Sequence, residues 1–439
     1  MFANKLTREG IRTSIFSLLV FSLPFSKGLT NVAIILAVLN WVQESSLIEK
    51  WVRLKSNRHF LLFISFFCLT VIGLSYSENF EQGLFILEKR IPLLVLPLII
   101  FSSTAISKTE IRIIFKTLVL ACLLASLICL GYAFYRNYKE GHTLSYIYNA
   151  LVNGIHLPGR YDYLNYYYFT NYFFVEPLRI HPTYFALYIL FSSCLVIWLL
   201  WDKNKLESGI SIWIVLLLLY NVIIIVLLAS RVQLFLLILV GTTFVMYYSY
   251  LKKKLLRGVI GFMSLISVIT ILIFLNPITR ERFSTAINPR AHYSENVHGE
   301  GGLSLRIHEW RYTLEGIKSN FLFGTGTGDA QDVLQEVYLR NKFKIGYENS
   351  LNPHNQYLHT TLELGILGFI VLISNLINPF VLGFRKRQWL VIIFVLIIAV
   401  SFVPESVLEL NRGIVFYAFF NSLLIRYFMN DRVFGTENA

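Results

Sequence analysis

Two pieces of the chain decide its fold: Leu305-Arg306-Ile307-His308-Glu309-Trp310 and, further on, Asn352-Pro353-His354-Asn355-Gln356-Tyr357-Leu358. The first lies within residues 277–353, a long stretch rich in Arg, Glu, His, Asn and Gly, and the second lies where this stretch re-enters an apolar run. Near-continuous Ile, Leu, Val and Phe precede and follow it. A polar stretch of this length is excluded from the hydrocarbon of a bilayer. We therefore expect a large loop outside the membrane that covers a reaction chamber walled by apolar helices.

The composition predicts an integral membrane protein with an all-α fold. Of 439 residues, 55% are hydrophobic and only 15% are charged, whereas soluble domains average about 25% charged residues. A helix needs roughly 20 mostly apolar residues to cross a bilayer. On this criterion we expect about 12 transmembrane helices, at residues 11–25, 29–41, 60–74, 91–103, 111–135, 182–201, 210–229, 232–250, 259–276, 357–382, 389–403 and 413–429.

The basic residues beside these spans predict the topology, because Lys and Arg are retained on the cytoplasmic side. They cluster at residues 5–12, 50–58, 203–205, 252–257 and 385–387. This pattern places both termini inside and the loops 136–181 and 277–353 outside. It divides the chain into a bundle of nine spans at 1–276, a loop subdomain with short helices at 277–355 and three further spans at 356–439. The net charge of +13 mostly reflects this bias and gives no indication of nucleic-acid binding.

The outer loop is expected to contain a helix at 304–319, a turn at Gly324-Thr325-Gly326-Thr327-Gly328 and a helix at 329–339 with Asp329 as its N-cap. The glycine run lacks the Lys-Ser/Thr of a nucleotide-binding loop, so we interpret it as a tight turn. All four cysteines lie inside predicted spans, and no zinc-ligand spacing is present. We expect no metal and no cofactor.

His354 is the candidate base. We expect Asn352 to cap the tenth span and Pro353 to lie in its first turn, which places His354 at the positive end of a helix. A positive dipole favours the neutral imidazole, and a neutral imidazole can accept a proton.

Arginines on the same side of the membrane are the candidate anion ligands. Arg231 follows an apolar run, and at the bilayer centre it would cost about 2.5 to 3.5 kcal/mol or more, so we expect it at the outer surface. Arg306 lies in the large loop. Since a guanidinium makes bidentate contacts to phosphate oxygens, both arginines are candidate clamps for a diphosphate leaving group, with His354 removing the proton of a hydroxyl nucleophile.

A second tier of candidates lies in the other outer loops. Arg90 precedes a helix and either holds an anion or, as we favour, anchors the helix at the interface. Pro182 at a helix start leaves His181 beside free amides, and Arg179 lies two residues before it. The tyrosine-rich run at 161–168 is interpreted as an interfacial belt, with a sugar-stacking platform as the alternative.

The order of these residues resembles the O-antigen ligase and polymerase family. The similarity is carried by Arg231 after an apolar span, Arg306-x-x-x-Trp310 in a large outer loop, the turn at Phe321–Gly328, and Pro353-His354-Asn355-x-Tyr357-Leu358 followed by Glu363-Leu364-Gly365-x-x-Gly368. It extends over roughly residues 230–369. The resemblance implies an inverting, metal-independent glycosyltransferase of the GT-C type in the bacterial inner membrane, with the large loop in the periplasm.

By this resemblance, a glycan moves from undecaprenyl diphosphate to a sugar hydroxyl of lipid A-core or another glycan acceptor. His354 corresponds to the proposed base, Arg306 and Arg231 to the diphosphate ligands, and Trp310 and Asn355 to further motif positions. The alternative is a polymerase that uses a second lipid-linked repeat unit as acceptor. A lipid-linked oligosaccharide transporter is disfavoured, because the polar groups gather at one face and no internal repeat is evident. A non-enzymatic scaffold whose loop binds a partner is the remaining possibility.

Overall fold

A computed structural model describes residues 2–55, 57–139, 168–201, 211–251, 253, 255–275, 279–280 and 303–428. Within these residues the chain is all-helical, and no strand occurs. Most of the tyrosine-rich run at 161–168 lies outside the described residues.

The first part of the chain is a series of α-helices that ends with the longest helix of the described residues. These are α1 (Phe2–Ser22), α2 (Lys27–Glu44), α3 (Leu47–Lys55), α4 (Arg58–Leu74), α5 (Phe80–Arg90), α6 (Pro92–Ser102) and α7 (Lys108–Lys139).

The second part contains α8 (Asn171–Phe174), a 3-10 turn (Glu176–Leu178), α9 (Pro182–Trp201), α10 (Ile212–Leu227), α11 (Arg231–Leu251) and α12 (Leu255–Leu275). The third part contains α13 (Leu303–Ser319), α14 (Ala330–Arg340), α15 (Lys344–Glu348), α16 (Gln356–Arg385), α17 (Trp389–Ser401), a 3-10 turn (Val407–Glu409) and α18 (Asn411–Phe428).

Each of the twelve predicted spans coincides with one of these helices, and the all-α class is confirmed. Among the described residues, three helices are long and apolar enough to cross a membrane, at Lys108–Lys139, Pro182–Leu200 and Gln356–Arg385. Lys27–Glu44 and Leu47–Lys55 meet the same criterion together, but they are bent by 103° where they join. Five of the other predicted spans contain shorter apolar helices, at His59–Leu74, Ile212–Leu227, Arg231–Tyr247, Val259–Leu275 and Trp389–Ser401. The chain is a multi-pass membrane protein with three or four candidate spans in its described residues, and the number twelve stays a prediction.

The chain forms two compact units, one made of residues 1–19, 27–114 and 298–439 and the other of residues 20–26 and 115–297. These boundaries differ from the predicted division at residues 276 and 355, which remains a prediction. In the first unit, α16 packs against α4, α13 and α17, and α6 packs against α4 and α18. In the second unit, α11 packs against α9, α10 and α12.

The helices of the predicted outer loop, α13 and α14, have their own hydrophobic core. Ile317, Leu334, Tyr338 and Phe343 are buried together there, and Leu362 of α16 completes the cluster. The predicted helices at 304–319 and 329–339 are thereby confirmed to within one residue at each end. Since α16 contributes to this core, the loop helices are fixed to the start of a helix that is long and apolar enough to span a membrane.

The glycine-rich turn and a break in α16 fit into each other. Gly365 has φ +65, outside the helical region, and it interrupts α16. The backbone NH groups of Thr325 and Gly326 donate to the carbonyls of Leu362 and Glu363 at 2.9 and 3.0 Å. A Cβ at Gly324, where φ is +74, would lie 2.3 Å from the Glu363 carbonyl oxygen. The prediction of a tight turn is confirmed. The glycines of this turn let its backbone approach the backbone of α16 closely.

Asp329 occupies the N-cap position of α14, as predicted, but its side chain makes no bond to that helix. Instead its carboxylate accepts from the backbone NH groups of Glu78 and Asn79, at 2.8 and 2.7 Å. These NH groups belong to the residues just before α5, where amides lack helical partners. Asp329 therefore attaches the loop to the start of α5.

Candidate functional site

A short connection between α17 and α18 brings two carboxylates to the start of α16. The NH of Gln356 donates to the Phe402 carbonyl at 2.8 Å, and the Gln356 side chain accepts from the NH of Leu408 at 2.6 Å. Gln356 is fully buried. These two bonds fix residues 402–408 against the first turn of α16, and they place Glu405 beside His354 and Glu409 beside His359.

His354 lies one residue before the N-cap of α16, and its backbone is held in a tight turn. Its φ is +44, a left-handed conformation that is rare for a residue with a side chain. The Asn352 side chain accepts from the His354 NH at 2.8 Å. The predicted cap at Asn352 is wrong, because Asn355 caps the helix by accepting from the Leu358 NH, and Pro353 lies before the first turn. His354 still lies beside the positive end of the helix.

His354 and Arg306 meet on one carboxylate. His354 Nδ1 lies 3.4 Å from Glu405 Oε1, and Arg306 Nη2 lies 4.0 Å from Glu405 Oε2. The His354 and Arg306 side chains remain 24% and 21% exposed, whereas that of Glu405 is 10% exposed. The candidate base and one of the candidate arginines, which are far apart in sequence, are thus brought together at a partly open position. We call these three residues the His354 site.

A buried carboxylate on the same helix, that of Glu309, forms an ion pair with Arg306. Arg306 Nη1 donates to Glu309 Oε2 at 3.3 Å, one turn along α13, and the Glu309 side chain is 1% exposed. Burial raises the pKa of Glu309 to about 7, although the Arg306 guanidinium opposes this rise. Near neutral pH, Glu309 therefore changes between a neutral and a charged partner of Arg306.

Trp310 and Asn355 have different structural roles. The indole nitrogen of Trp310 is buried and makes no hydrogen bond within the described residues, so an unsatisfied donor lies one residue after Glu309. Asn355 is buried and serves as the helix cap described above. Neither position contributes a charge to the His354 site.

Arg231, Arg179 and His181 belong to the second unit. Arg231 is the first residue of α11 and is half-buried, and it follows Ala229, whose φ is +51. His181 Nδ1 accepts from the NH of Thr183 at 3.2 Å, so the predicted contact with a free amide at a helix start is present. Arg179 ends a 3-10 turn with φ +48. Their predicted roles in substrate binding stay predictions.

Arg90 lies in an environment that neither sequence interpretation foresaw. Its side chain is 1% exposed, so it is neither an interfacial anchor nor an open anion ligand. Its two terminal nitrogens donate to the two Glu363 oxygens at 2.5 and 2.7 Å, and it also bonds to Glu409. A guanidinium that is buried must be paired in this way, because an unpaired buried charge is very unfavourable. Arg90 joins the end of α5 to α16 and to the connection after α17.

His359 completes this buried cluster and creates a set of metal-ligand atoms. His359 Nε2 lies 3.5 Å from Glu409 Oε1 and 3.9 Å from Glu363 Oε2, and the three candidate ligand atoms lie within 4.8 Å of one another. Both carboxylates are already engaged by the Arg90 guanidinium, which supplies the positive charge that a cation would bring. Burial by itself opposes the charge on Glu409, yet Arg90 holds its pKa below the ordinary value.

Sequence reasoning missed the acidic members of both clusters. Glu405 and Glu409 lie four residues apart in a connection of nine residues between two apolar helices, a position where unpaired carboxylates are rare. That position could have indicated a role near the outer surface. Glu363 was part of the recognised motif, but its partner Arg90 is 273 residues away in sequence, and spacing alone could not reveal this pairing.

The described residues are all-helical, they include helices long and apolar enough to span a membrane, and they bring a histidine and an arginine together beside a polar subdomain. These features define the class of multi-pass membrane proteins. Residues 214–373 match the family described as O-antigen ligase, so the predicted resemblance is confirmed over this part of the chain. The matched part includes Arg231, Arg306 and His354. It ends before Glu405 and Glu409.

The chain is also similar to an uncharacterized protein of Haemophilus influenzae, with 27% identity over 198 residues. The similar part covers 41% of this chain and 47% of that protein, so the chain spans about half the length of this curated relative.

Proposed function

We propose that this protein is an O-antigen ligase-like glycosyltransferase that moves a glycan from undecaprenyl diphosphate to a sugar hydroxyl of lipid A-core on the periplasmic face of the bacterial inner membrane. The observation that carries the proposal is the convergence of His354 and Arg306 on Glu405. The family match at residues 214–373 supports it. The reaction needs a base for the acceptor hydroxyl and a cation for the diphosphate, and the His354 site supplies one of each.

His354 is the proposed base. With Nδ1 donating to Glu405, the imidazole presents Nε2 as its basic nitrogen, as in other carboxylate–histidine pairs. The acceptor hydroxyl transfers its proton to Nε2 while its oxygen bonds to the anomeric carbon of the donor sugar. The bond from that carbon to the diphosphate oxygen breaks, and its electron pair leaves with undecaprenyl diphosphate. Attack opposite the leaving group inverts the configuration at the anomeric carbon.

Arg306 is the proposed ligand of the leaving diphosphate. It is partly exposed, and its two neighbouring carboxylates hold its position without closing it off. A planar guanidinium suits phosphate oxygens and stabilises the negative charge that develops on them. Protonation of Glu309 near neutral pH removes one competing negative charge from Arg306. Arg231 is proposed as the second diphosphate ligand on the strength of the family match alone.

The proposal is tested by lipopolysaccharide gels from a deletion strain that expresses variants of this protein. His354→Ala and Arg306→Ala are expected to leave bare lipid A-core while lipid-linked polymer accumulates. Core that carries a single repeat unit would instead identify a polymerase.

Two matched controls distinguish loss of chemistry from loss of an ordinary side chain. Arg340→Ala removes a 70% exposed arginine of the same subdomain, and His59→Ala removes an imidazole that bonds to Asn378 at 3.1 Å. Both are expected to support normal glycan attachment. If the His354 and Arg306 variants also attach glycan normally at equal protein levels, the catalytic proposal is wrong.

A further inference from the structure

The outward face of α13 has a composition unlike that of a solvated helix. Its exposed residues include Ile307, Arg311, Leu314 and Lys318, whose spacing of four, three and four residues places them on one face. Two are apolar, two are basic and none is acidic. The nearby Glu315 is directed elsewhere, since it accepts from the Asn341 side chain at 3.1 Å.

Three large apolar side chains follow shortly after the end of α13. Phe321, Leu322 and Phe323 are all exposed, and Leu322 is 62% exposed. Their backbone is fixed, because the Phe321 carbonyl accepts from the NH of Ile366 at 2.9 Å and the Phe323 carbonyl accepts from the Tyr76 hydroxyl. These backbone hydrogen bonds therefore hold the three side chains at the surface.

The attachment point of this segment lies where α16 changes from buried polar to exposed apolar residues. Before the break at Gly365, α16 carries buried polar residues such as Glu363 and His359. After the break it exposes Leu367, Ile370 and Ile377. The remaining part, residues 366–385, is about 20 residues and roughly 30 Å long, which equals the thickness of the hydrocarbon. Phe321 bonds to the first residue of this part, so residues 321–323 lie beside the start of this apolar stretch.

We propose that Ile307, Arg311, Leu314 and Lys318, together with residues 321–323, form a docking surface for a lipid leaflet that contains anionic phospholipid. We call this surface the lipid-docking face. Amphipathic helices that lie in a membrane interface combine apolar residues with Lys and Arg in this manner. The face is also bonded, through Phe321, to Ile366 at the start of the part of α16 that exposes Leu367, Ile370 and Ile377. The inference does not depend on the proposed reaction.

Docking of this face holds Arg306 at headgroup depth. Arg306 lies on the same helix, next to Ile307, and bonds to the buried Glu309 on the inner side. A helix attached to the leaflet along one face keeps its other side at a fixed height. The lipid-docking face thereby sets the distance between the His354 site and any ligand anchored in the bilayer.

The test places a fluorescent label on the face in the full-length protein reconstituted into vesicles. Cys68 is the exposed cysteine among the four and is first replaced by serine. Leu322→Cys and, separately, Leu339→Cys then carry a bimane label, since Leu339 on α14 is similarly exposed at 61% but lies off the face. Quenching is measured with a lipid that carries doxyl near its headgroup and with aqueous iodide, in phosphatidylcholine vesicles with and without phosphatidylglycerol.

The label at residue 322 is expected to be quenched by the doxyl lipid and protected from iodide, and the label at 339 to show the reverse. Strong iodide quenching at 322 would show that the face lies in water and would overturn the proposal. Protection from both quenchers would show that a protein, such as a second copy of this chain, covers the face, and would equally overturn it. Phe323→Cys repeats the measurement if the variant at 322 does not fold.

The basic residues are tested by reversing their charge. Arg311→Glu with Lys318→Glu is expected to abolish the extra doxyl quenching that phosphatidylglycerol produces at residue 322. Arg340→Glu, off the face, is the matched control and is expected to leave that increase intact. If the double variant keeps the full increase, the face does not recognise anionic lipid.

Discussion

Removal of the charge on Glu309 has a predicted effect on stability that depends on pH. Its carboxyl is buried on the inner side of α13, and burial raises its pKa from 4.5 to about 7. The folded chain therefore keeps this proton up to neutral pH, whereas the unfolded chain releases it near pH 4.5. Between these values the folded state binds more protons than the unfolded state. The contribution of Glu309 to the free energy of unfolding is therefore fully present below pH 4.5 and is lost as the pH rises through 7. The pKa shift from 4.5 to about 7 corresponds to about 3 kcal/mol of the free energy of unfolding.

Glu309→Gln keeps the size of the side chain and an oxygen that can accept from Arg306, but it cannot ionise. The variant is expected to unfold at the same temperature as the unchanged protein below pH 4.5 and at a higher temperature above pH 7. The assay is thermal unfolding of detergent-purified protein, followed by tryptophan fluorescence across this range. Glu315→Gln, which removes a partly exposed carboxylate of the same helix, is the matched control. Parallel pH curves for Glu309→Gln and the unchanged protein would refute the reasoning.

Three further predictions concern the acidic residues and the break in α16. Glu405→Gln is expected to lower the transfer rate and to shift the pH profile of that rate, because it weakens the contact that orients His354. Steady-state kinetics at several pH values would measure both effects. An unchanged pH profile would contradict this role of Glu405. Glu363→Ala leaves the buried Arg90 guanidinium short of a partner and is expected to lower the free energy of unfolding by about 3 to 5 kcal/mol. The readout is a large fall in the unfolding temperature. A fall no larger than that of a surface variant would count against the prediction. Gly365→Ala is expected to abolish folded protein on gel filtration, since φ is +65 and a Cβ would lie 2.3 Å from a carbonyl oxygen. Gly131→Ala, at a position with open space around it, is the control and is expected to give a normal yield. Equal yields of the two variants would show that the break tolerates a side chain.

The positions of the helices could be predicted from the sequence because apolar runs and helix ends are local properties. The helix α13 and the turn at Gly324 followed from composition and glycine content within short windows. The family resemblance likewise rested on local strings around Arg306 and His354, and the match at residues 214–373 confirms it. Side-chain type and spacing were sufficient for these features.

Long-range pairings could not be predicted in the same way. The break at Gly365 arises because residues 321–326 approach α16 from another part of the chain. The burial of Arg90 depends on Glu363 and Glu409, which lie on two distant segments. The partner of His354 was missed for the same reason, since Glu405 reaches it only through the anchoring of residues 402–408 on Gln356. One sequence contains no signal for such contacts.

The central claim is that His354 accepts the proton of the acceptor hydroxyl. Its most direct test is transfer by the purified protein from an undecaprenyl-diphosphate-linked glycan to lipid A-core, with the product measured on a gel. Loss of a general base is expected to lower the rate by about 10² to 10⁴-fold, so His354→Ala should form almost no product while His59→Ala forms it at the normal rate. Product formation by His354→Ala at a rate close to that of the unchanged protein would contradict the claim.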